Sequence, residues 1–235
     1  MARNKPSLIR SIDIMLNETP LNQISYLILA GGRGQRMHGA DKGLIQWQHK
    51  PMIEHIIQHI DAAPEKTIIS ANRNIEIYQK YTAHVISDKI PNALQSTIDD
   101  YEGSDETSTE SSDGTSQEIF LGPLAGILSA MHICTTPYLL CLPCDSPDPP
   151  ENLLNQLWQC MQSQNKNVAL CHDGERLQPL FGLLSCQHKP FLQTFLQQGR
   201  RKVHDFFALI DPAICDFSAQ KNRFNNFNSP DDMHE

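Results

Sequence analysis

No stretch of this sequence approaches the roughly 18 consecutive apolar residues that a membrane-crossing helix needs, although 40% of its residues are hydrophobic. A membrane-spanning protein is not expected. Basic patches with interleaved aromatics are missing too, so nucleic acid is not an expected partner. The seven cysteines are an odd number and lack the even, regular spacing of a secreted disulfide framework, so mostly buried thiols in a reducing cytoplasm are expected. Arg3, Lys5 and Arg10 precede polar and acidic residues rather than an apolar run and a small-residue cleavage site, which argues against secretion; Asp13 and Glu18 argue against a transit peptide. Residues 1–22 read as a flexible extension and residues 23–235 as one domain.

Positive charge is absent from residues 99–118, which hold eight acids and no Lys or Arg. Setting those eight aside leaves 19 acids against 19 bases, so the formal charge of -8 belongs to this segment. The rest of the chain is formally neutral and offers no general barrier to an anionic ligand. Rich in Ser, Thr and Gly and poor in apolar residues, the segment cannot bury enough surface to offset its ordering entropy. A disordered acidic loop at a surface connection is expected there, in preference to a regulatory lid.

What is present is a repeating strand–helix rhythm. The apolar run Ile24–Leu29 ends at once in a glycine-rich stretch, as a buried strand entering a loop does. After Pro51, apolar residues at 52, 53, 56, 57 and 60 recur at helical spacing. Strands are predicted at 66–70, 83–86, 138–142, 167–171, 180–184 and 213–217, and strand-like residues at 44–48. Helices are predicted at 75–81, 124–133, from Pro149–Pro150 to about 164, and at 191–198. Such alternation implies an α/β protein, a three-layer α/β/α sandwich around a mainly parallel, Rossmann-like sheet with right-handed crossovers. Ligands of such sheets bind outside the carboxyl ends of the strands, where Gly31 to Lys42, Asn72, Asp88 and Asp145 all fall.

The stretch Leu29–Leu44, LAGGRGQRMHGADKGL, joins glycines to Arg33, Arg36 and Lys42. Glycines let backbone N–H groups approach phosphate oxygens, and a lysine adds a mobile point charge. A triphosphate is the expected ligand. Two common phosphate loops do not fit: a Walker A loop places Lys-Ser or Lys-Thr after its last glycine, whereas Lys42 precedes Gly43, and Gly32, Gly34 and Met37 break the dinucleotide G-x-G-x-x-G spacing.

The string L-A-G-G-x-G-x-R-M-x-G-x-D-K-G-L resembles the signature of the molybdenum cofactor guanylyltransferases, a branch of the nucleotidyltransferase superfamily. The resemblance runs from about Ile24 to Met233. It includes, in order, Ala71-Asn72-Arg73, Ser87-Asp88, Gly122-Pro123-Leu124-Ala125-Gly126, Pro143-Cys144-Asp145, Gln178-Pro179-Leu180 and Asn226-Phe227-Asn228-Ser229-Pro230. His38, where the family usually has glycine, and the acidic insertion depart from the pattern. The resemblance implies transfer of GMP from GTP to the terminal phosphate of molybdopterin or molybdenum cofactor, with release of pyrophosphate. It implies GTP contacts at Leu29, Ala30, Gly31, Lys42, Asn72, Asp88 and Asp145, and Mg²⁺ on Asp145. Arg36 and Lys42 would neutralise charge beside Asp145, with Arg201, Lys202, Asn226 and Asn228 on the cofactor-substrate side. Transient contact with cofactor-insertion proteins is implied by the resemblance alone.

Other readings stay open at this level. A cytidylyl or sugar-phosphate nucleotidyltransferase shares the opening motif, and a non-catalytic GTP or cofactor carrier shares the binding residues. Asn72 and Asp88 follow strands, where such residues also commonly bond local backbone, and the basic cluster at 200–202 also suits a solvated turn. Cys141-x-x-Cys144 lies in and just beyond a strand rather than at a helix start, so a structural role is expected. His55 and His59, four apart on a helix, lack an evident third zinc ligand and read as solvent-facing.

Overall fold

Strand β1 (Ile24–Leu29) shows how the layers arise, because a strand sends alternate side chains to opposite faces of its sheet. Ile24, Tyr26 and Ile28 pack into one hydrophobic core and Leu27 into another. A central strand buried on both faces needs helices on both. The computed structural model describes residues 19–32, 41–87 and 122–227. It therefore leaves outside the described residues Arg36, Asp88, Asn228, the acidic stretch 99–118 and most of the N-terminal extension.

After β1 come a two-stranded hairpin, β2 (Gln46–Trp47) and β3 (Lys50–Pro51), and helix α1 (Met52–Ile60). Strand β4 (Thr67–Ser70), the short helix α2 (Ile75–Tyr78) and strand β5 (His84–Ile86) follow. The chain then runs through α3 (Pro123–Ile133), β6 (Tyr138–Pro143), α4 (Leu153–Ser163), β7 (Val168–His172) and β8 (Leu177–Ser185). It continues through α5 (Lys189–Gln197), α6 (Val203–Leu209) and β9 (Ala213–Asp216). Among the described residues, seven strands form one sheet in the order β5-β4-β1-β6-β8-β7-β9. β8 runs against both of its neighbours, and every other adjacent pair is parallel.

One core joins the β1 residues Ile24, Tyr26 and Ile28 to Ile53 and Ile56 of α1 and Leu157 and Met161 of α4. The other joins Leu27 to Leu124 and Leu128 of α3, Phe195 of α5, and Phe206 and Phe207 of α6. The helix–sheet–helix sandwich expected from the alternation is the observed architecture. Among the described residues, no helix is long and apolar enough to cross a membrane.

Several local expectations need correction. Helix α4 begins at Leu153 rather than at the proline pair, because Asn152 takes a left-handed φ of 54° that cannot join the helix. Arg223 instead ties the proline stretch to the C-terminal segment through Asp148 and Glu151, each at 2.6 Å. Helix α2 is four residues long, and its continuation to Tyr81 is a turn. Cys160 and Cys215 are disulfide-bonded, with Cα atoms 5.9 Å apart; the packing of α4 against β9 brings together residues 55 positions apart. Five cysteines are free thiols, of which Cys141, Cys144 and Cys171 are buried. His55 and His59 are half-buried rather than solvent-facing: the His55 ring nitrogen meets the Trp47 carbonyl at 2.7 Å and that of His59 the Pro150 carbonyl at 3.2 Å.

Candidate active site

Parallel pairing carries four strand exits to one rim of the sheet. The ladder persists past the strand ends: Ala30 N–H donates to Ser70 O at 2.7 Å, Ala71 N–H to Ile86 O at 2.7 Å and Cys144 N–H to Leu29 O at 3.1 Å. Ala30–Gly31, Asn72 and Asp145 thereby come together at the carboxyl edge of β1, β4 and β6, where ligands of such sheets bind. Helix α3 packs tightly behind this rim because of Gly126, where a Cβ would lie 2.7 Å from Ser70 Oγ and 3.1 Å from Leu29 Cδ2.

Two side chains from the β4 exit hold the start of the glycine loop. Asn72 Nδ2 donates to Gly31 O at 3.0 Å and Arg73 donates to Gly32 O at 3.2 Å. Asn72 thus bonds backbone, but 41 residues away rather than within its own turn.

Residues 42–44 form a tight turn in which Leu44 N–H donates to Asp41 O at 3.0 Å and Ile45 N–H to Lys42 O at 3.2 Å. The strand-like stretch expected at 44–48 is this turn followed by β2. From it, Lys42 Nζ reaches Asp145 Oδ2 at 3.0 Å, with about a fifth of each side chain exposed (20% and 19%). The two residues are 103 positions apart. Asp145 itself is held from the far end of the chain: Phe227 N–H donates to its carbonyl at 2.9 Å, and the neighbouring Ser146 hydroxyl donates to Asn226 Oδ1 at 2.7 Å. Asn226 is therefore beside Asp145.

The adjacent Cys144 is buried, and burial first, and then the charges of Asp145 and Asp41, push its thiol well above the usual range. Among the described residues there is no group of three or more His, Cys, Asp or Glu side chains suited to a metal. A hard cation that takes one or two carboxylates and completes its shell with phosphate oxygens and water needs no such group. Asp145, an oxygen donor at the carboxyl rim of the sheet, fits that requirement.

Arg201 and Lys202 lie in the turn between α5 and α6. Arg201 donates to the carbonyls of Leu196 at 2.6 Å and Arg200 at 2.9 Å, closing the end of α5, and Lys202 is the N-terminal cap position of α6. Gln178, in β8, donates to Asp173 at 2.6 Å, so its side chain serves the β7–β8 turn. Asp41, Asn74 and Tyr78 form a further polar cluster that the expected contacts did not include: Tyr78 Oη donates to Asp41 Oδ1 at 2.6 Å and Asn74 Nδ2 to Asp41 Oδ2 at 3.0 Å.

Gly31 and Gly32 at the exit of β1, a lysine beside a carboxylate at the exit of β6 and a mainly parallel sandwich define a nucleotidyltransferase-like α/β protein. The family model described as the MobA-like NTP transferase domain matches residues 26–97 and 114–212. The chain is 37% identical to a molybdenum cofactor guanylyltransferase of Mannheimia succiniciproducens over 90% of this chain and 97% of that protein. It is 35% identical to one of Shewanella sediminis, over 91% and 95%. It belongs to the molybdenum cofactor guanylyltransferase family. The fold is also that of the Archaeoglobus fulgidus molybdopterin-guanine dinucleotide biosynthesis protein A, with a TM-score of 0.63 at 18% identity over 89% of this chain and 94% of that one.

Proposed function

We propose that the protein transfers the guanylyl group of GTP to the terminal phosphate of molybdopterin or molybdenum cofactor, forming the guanine dinucleotide and releasing pyrophosphate. The observation that carries this reading is the Lys42–Asp145 pair, 3.0 Å apart at the rim of a sheet whose sequence places it in the guanylyltransferase family. The attacking phosphate monoester is already anionic at neutral pH, so the reaction needs alignment and charge neutralisation more than a strong base.

In that reaction the backbone of Leu29, Ala30 and Gly31 lines the phosphate side of the crevice, steadied by Asn72 and Arg73. Lys42 exchanges its contact with Asp145 for the triphosphate and, with Arg36, balances the charge that accumulates on departing pyrophosphate. Asp145 holds Mg²⁺, which when bound neutralises phosphate charge. Asp88 completes the nucleotide side. Arg201, Lys202, Asn226 and Asn228 serve the anionic second substrate. This reading places the reaction in the cytoplasm, where the product passes to cofactor-insertion proteins. The same reading takes residues 23–235 as one nucleotidyltransferase domain behind a flexible extension.

The test is pyrophosphate release from GTP, CTP, ATP and UTP with Mg²⁺, in the presence and absence of molybdopterin. Release that requires both GTP and the pterin is expected. A preference for CTP would move the protein to cytidylyl transfer, and tight GTP binding without release from any nucleotide would make it a carrier.

A further inference from the structure

Asp41 is 8% exposed although it carries a carboxylate, and Tyr78 is fully buried. A buried carboxylate is costly unless its oxygens are bonded, and here both are. Oδ1 takes the Tyr78 hydroxyl at 2.6 Å. Oδ2 takes Asn74 Nδ2 at 3.0 Å and faces the Arg73 guanidinium at 3.9 Å. Packing closes the arrangement from a second direction, since a Cβ on Gly43 would lie 2.5 Å from Tyr78 Oη. Residues 41 and 43 are therefore both held against one phenol, and Lys42 lies between them. The Asp41 carbonyl meanwhile accepts Leu44 N–H at 3.0 Å, so its backbone and side chain are both engaged.

We infer that Tyr78 is a positioning residue, which holds Asp41 and Gly43 and thereby aims Lys42 at Asp145 and at the phosphates of the bound nucleotide. The inference rests on the phosphate-binding role given to Lys42 under Proposed function. Asn74 contributes from the solvent side, where it is exposed. Arg73 serves two sites at once, meeting Gly32 O on the glycine loop and Asp41 at the far end of that loop.

The same region supplies a matched control. Tyr81 Oη donates to Glu54 Oε1 at 2.7 Å, a tyrosine–carboxylate bond that joins the end of the α2 segment to α1 and reaches neither Asp41 nor Lys42. Tyr78→Phe and Tyr81→Phe each delete one hydroxyl and one bond to a carboxylate. Both should lower Tm. Only Tyr78→Phe should change phosphate handling: pyrophosphate release at saturating GTP falls about 10- to 100-fold, the size of effect produced by displacing a reacting group on the order of 1 Å. GTP affinity falls severalfold while guanosine affinity is unchanged. Tyr81→Phe keeps wild-type values for all three.

If Tyr78→Phe does not fold, Asn74→Ala takes its place, with the same pattern at smaller amplitude. Wild-type kinetics and GTP affinity in a folded Tyr78→Phe protein, or equal losses in both tyrosine variants, would overturn the inference. Absence of pyrophosphate release from the wild-type protein would instead be a failure of the enzymatic reading. The inference is then decided by affinity: selective loss of GTP over guanosine binding in Tyr78→Phe supports it, and unchanged selectivity refutes it.

Discussion

The two halves of the sheet are held together by different means. On the side of β5, β4, β1 and β6, the loops at the carboxyl rim are tied by side chains distant in sequence: Asn72 to Gly31, Asn74 and Tyr78 to Asp41, Lys42 to Asp145. On the side of β8, β7 and β9, the turn after β7 is closed locally and a covalent bond is added, while the long-range polar ties, such as Lys166 to Asp211 and Lys221 to Glu175, lie on the exposed surface. Asp173 caps its own turn by accepting the N–H groups of Glu175 and Arg176, each at 2.8 Å, and a disulfide staples α4 to β9. The contrast separates the part of the molecule whose polar groups gather at the candidate site from the part whose polar groups serve the scaffold.

The contrast breaks if damage to the far half changes nucleotide affinity. Phe206, fully buried among Phe191, Phe195 and Phe207, should cost about 3–5 kcal/mol of stability on truncation to alanine. Calorimetry should register that loss, while GTP affinity below the melting range stays at the wild-type value. Lys42→Ala should do the converse. Turnover should fall on the order of 10²- to 10³-fold, as when a charge-stabilising donor is removed, with Tm nearly unmoved because the ion pair is partly exposed. Cys160→Ala removes the disulfide and should cost about 2–4 kcal/mol of stability, with GTP affinity unchanged; an equal loss of affinity would erase the distinction between the halves.

A smaller effect sharpens the comparison by pH. Burial tends to raise the Asp173 pKa, but bonds from Arg176 N–H, the Gln178 side chain and Glu175 N–H outweigh it and hold the group at about 2 instead of 3.8. A depressed carboxylate pKa stabilises the fold above the unfolded value, and that stabilisation is lost as pH falls through the folded value. Protection of the Glu175 and Arg176 amides, taken relative to their intrinsic exchange rates at each pH, should therefore fall between about pH 4 and 2. Unchanged protection across that window would show that the carboxylate does not hold the turn.

Much of the fold was legible because hydrophobic periodicity survives in a sheet covered on both faces. β1, α1 and β6 lie where the apolar spacing puts them. Missed elements have identifiable causes. The basic residues 200–202 drew attention as a ligand cluster and obscured the helix Val203–Leu209 that follows them. Asn152 stops α4 from starting at the prolines by its backbone angle, which composition does not reveal. The antiparallel sense of β8 depends on pairing with β6 and β7, and an apolar run is the same in either direction.

At the site, Lys42 and Asp145 were legible because a lysine after a glycine loop and an aspartate at a strand exit are chemically conspicuous. Tyr78 was not. Its hydroxyl finds Asp41 across 37 residues, while its place in the apolar spacing of 75–81 suits simple core packing. The Cys160–Cys215 bridge was hidden in the same way, since neither cysteine has a neighbour at a telling interval.

The central claim is that Asp145 works at the reacting phosphates rather than merely neutralising Lys42. Pyrophosphate release by Asp145→Ala, measured with GTP, molybdopterin and Mg²⁺ at saturating concentrations, tests it most directly. A loss on the order of 10²-fold or more in a folded protein is the expected result, whereas full turnover with Mg²⁺ present would contradict it.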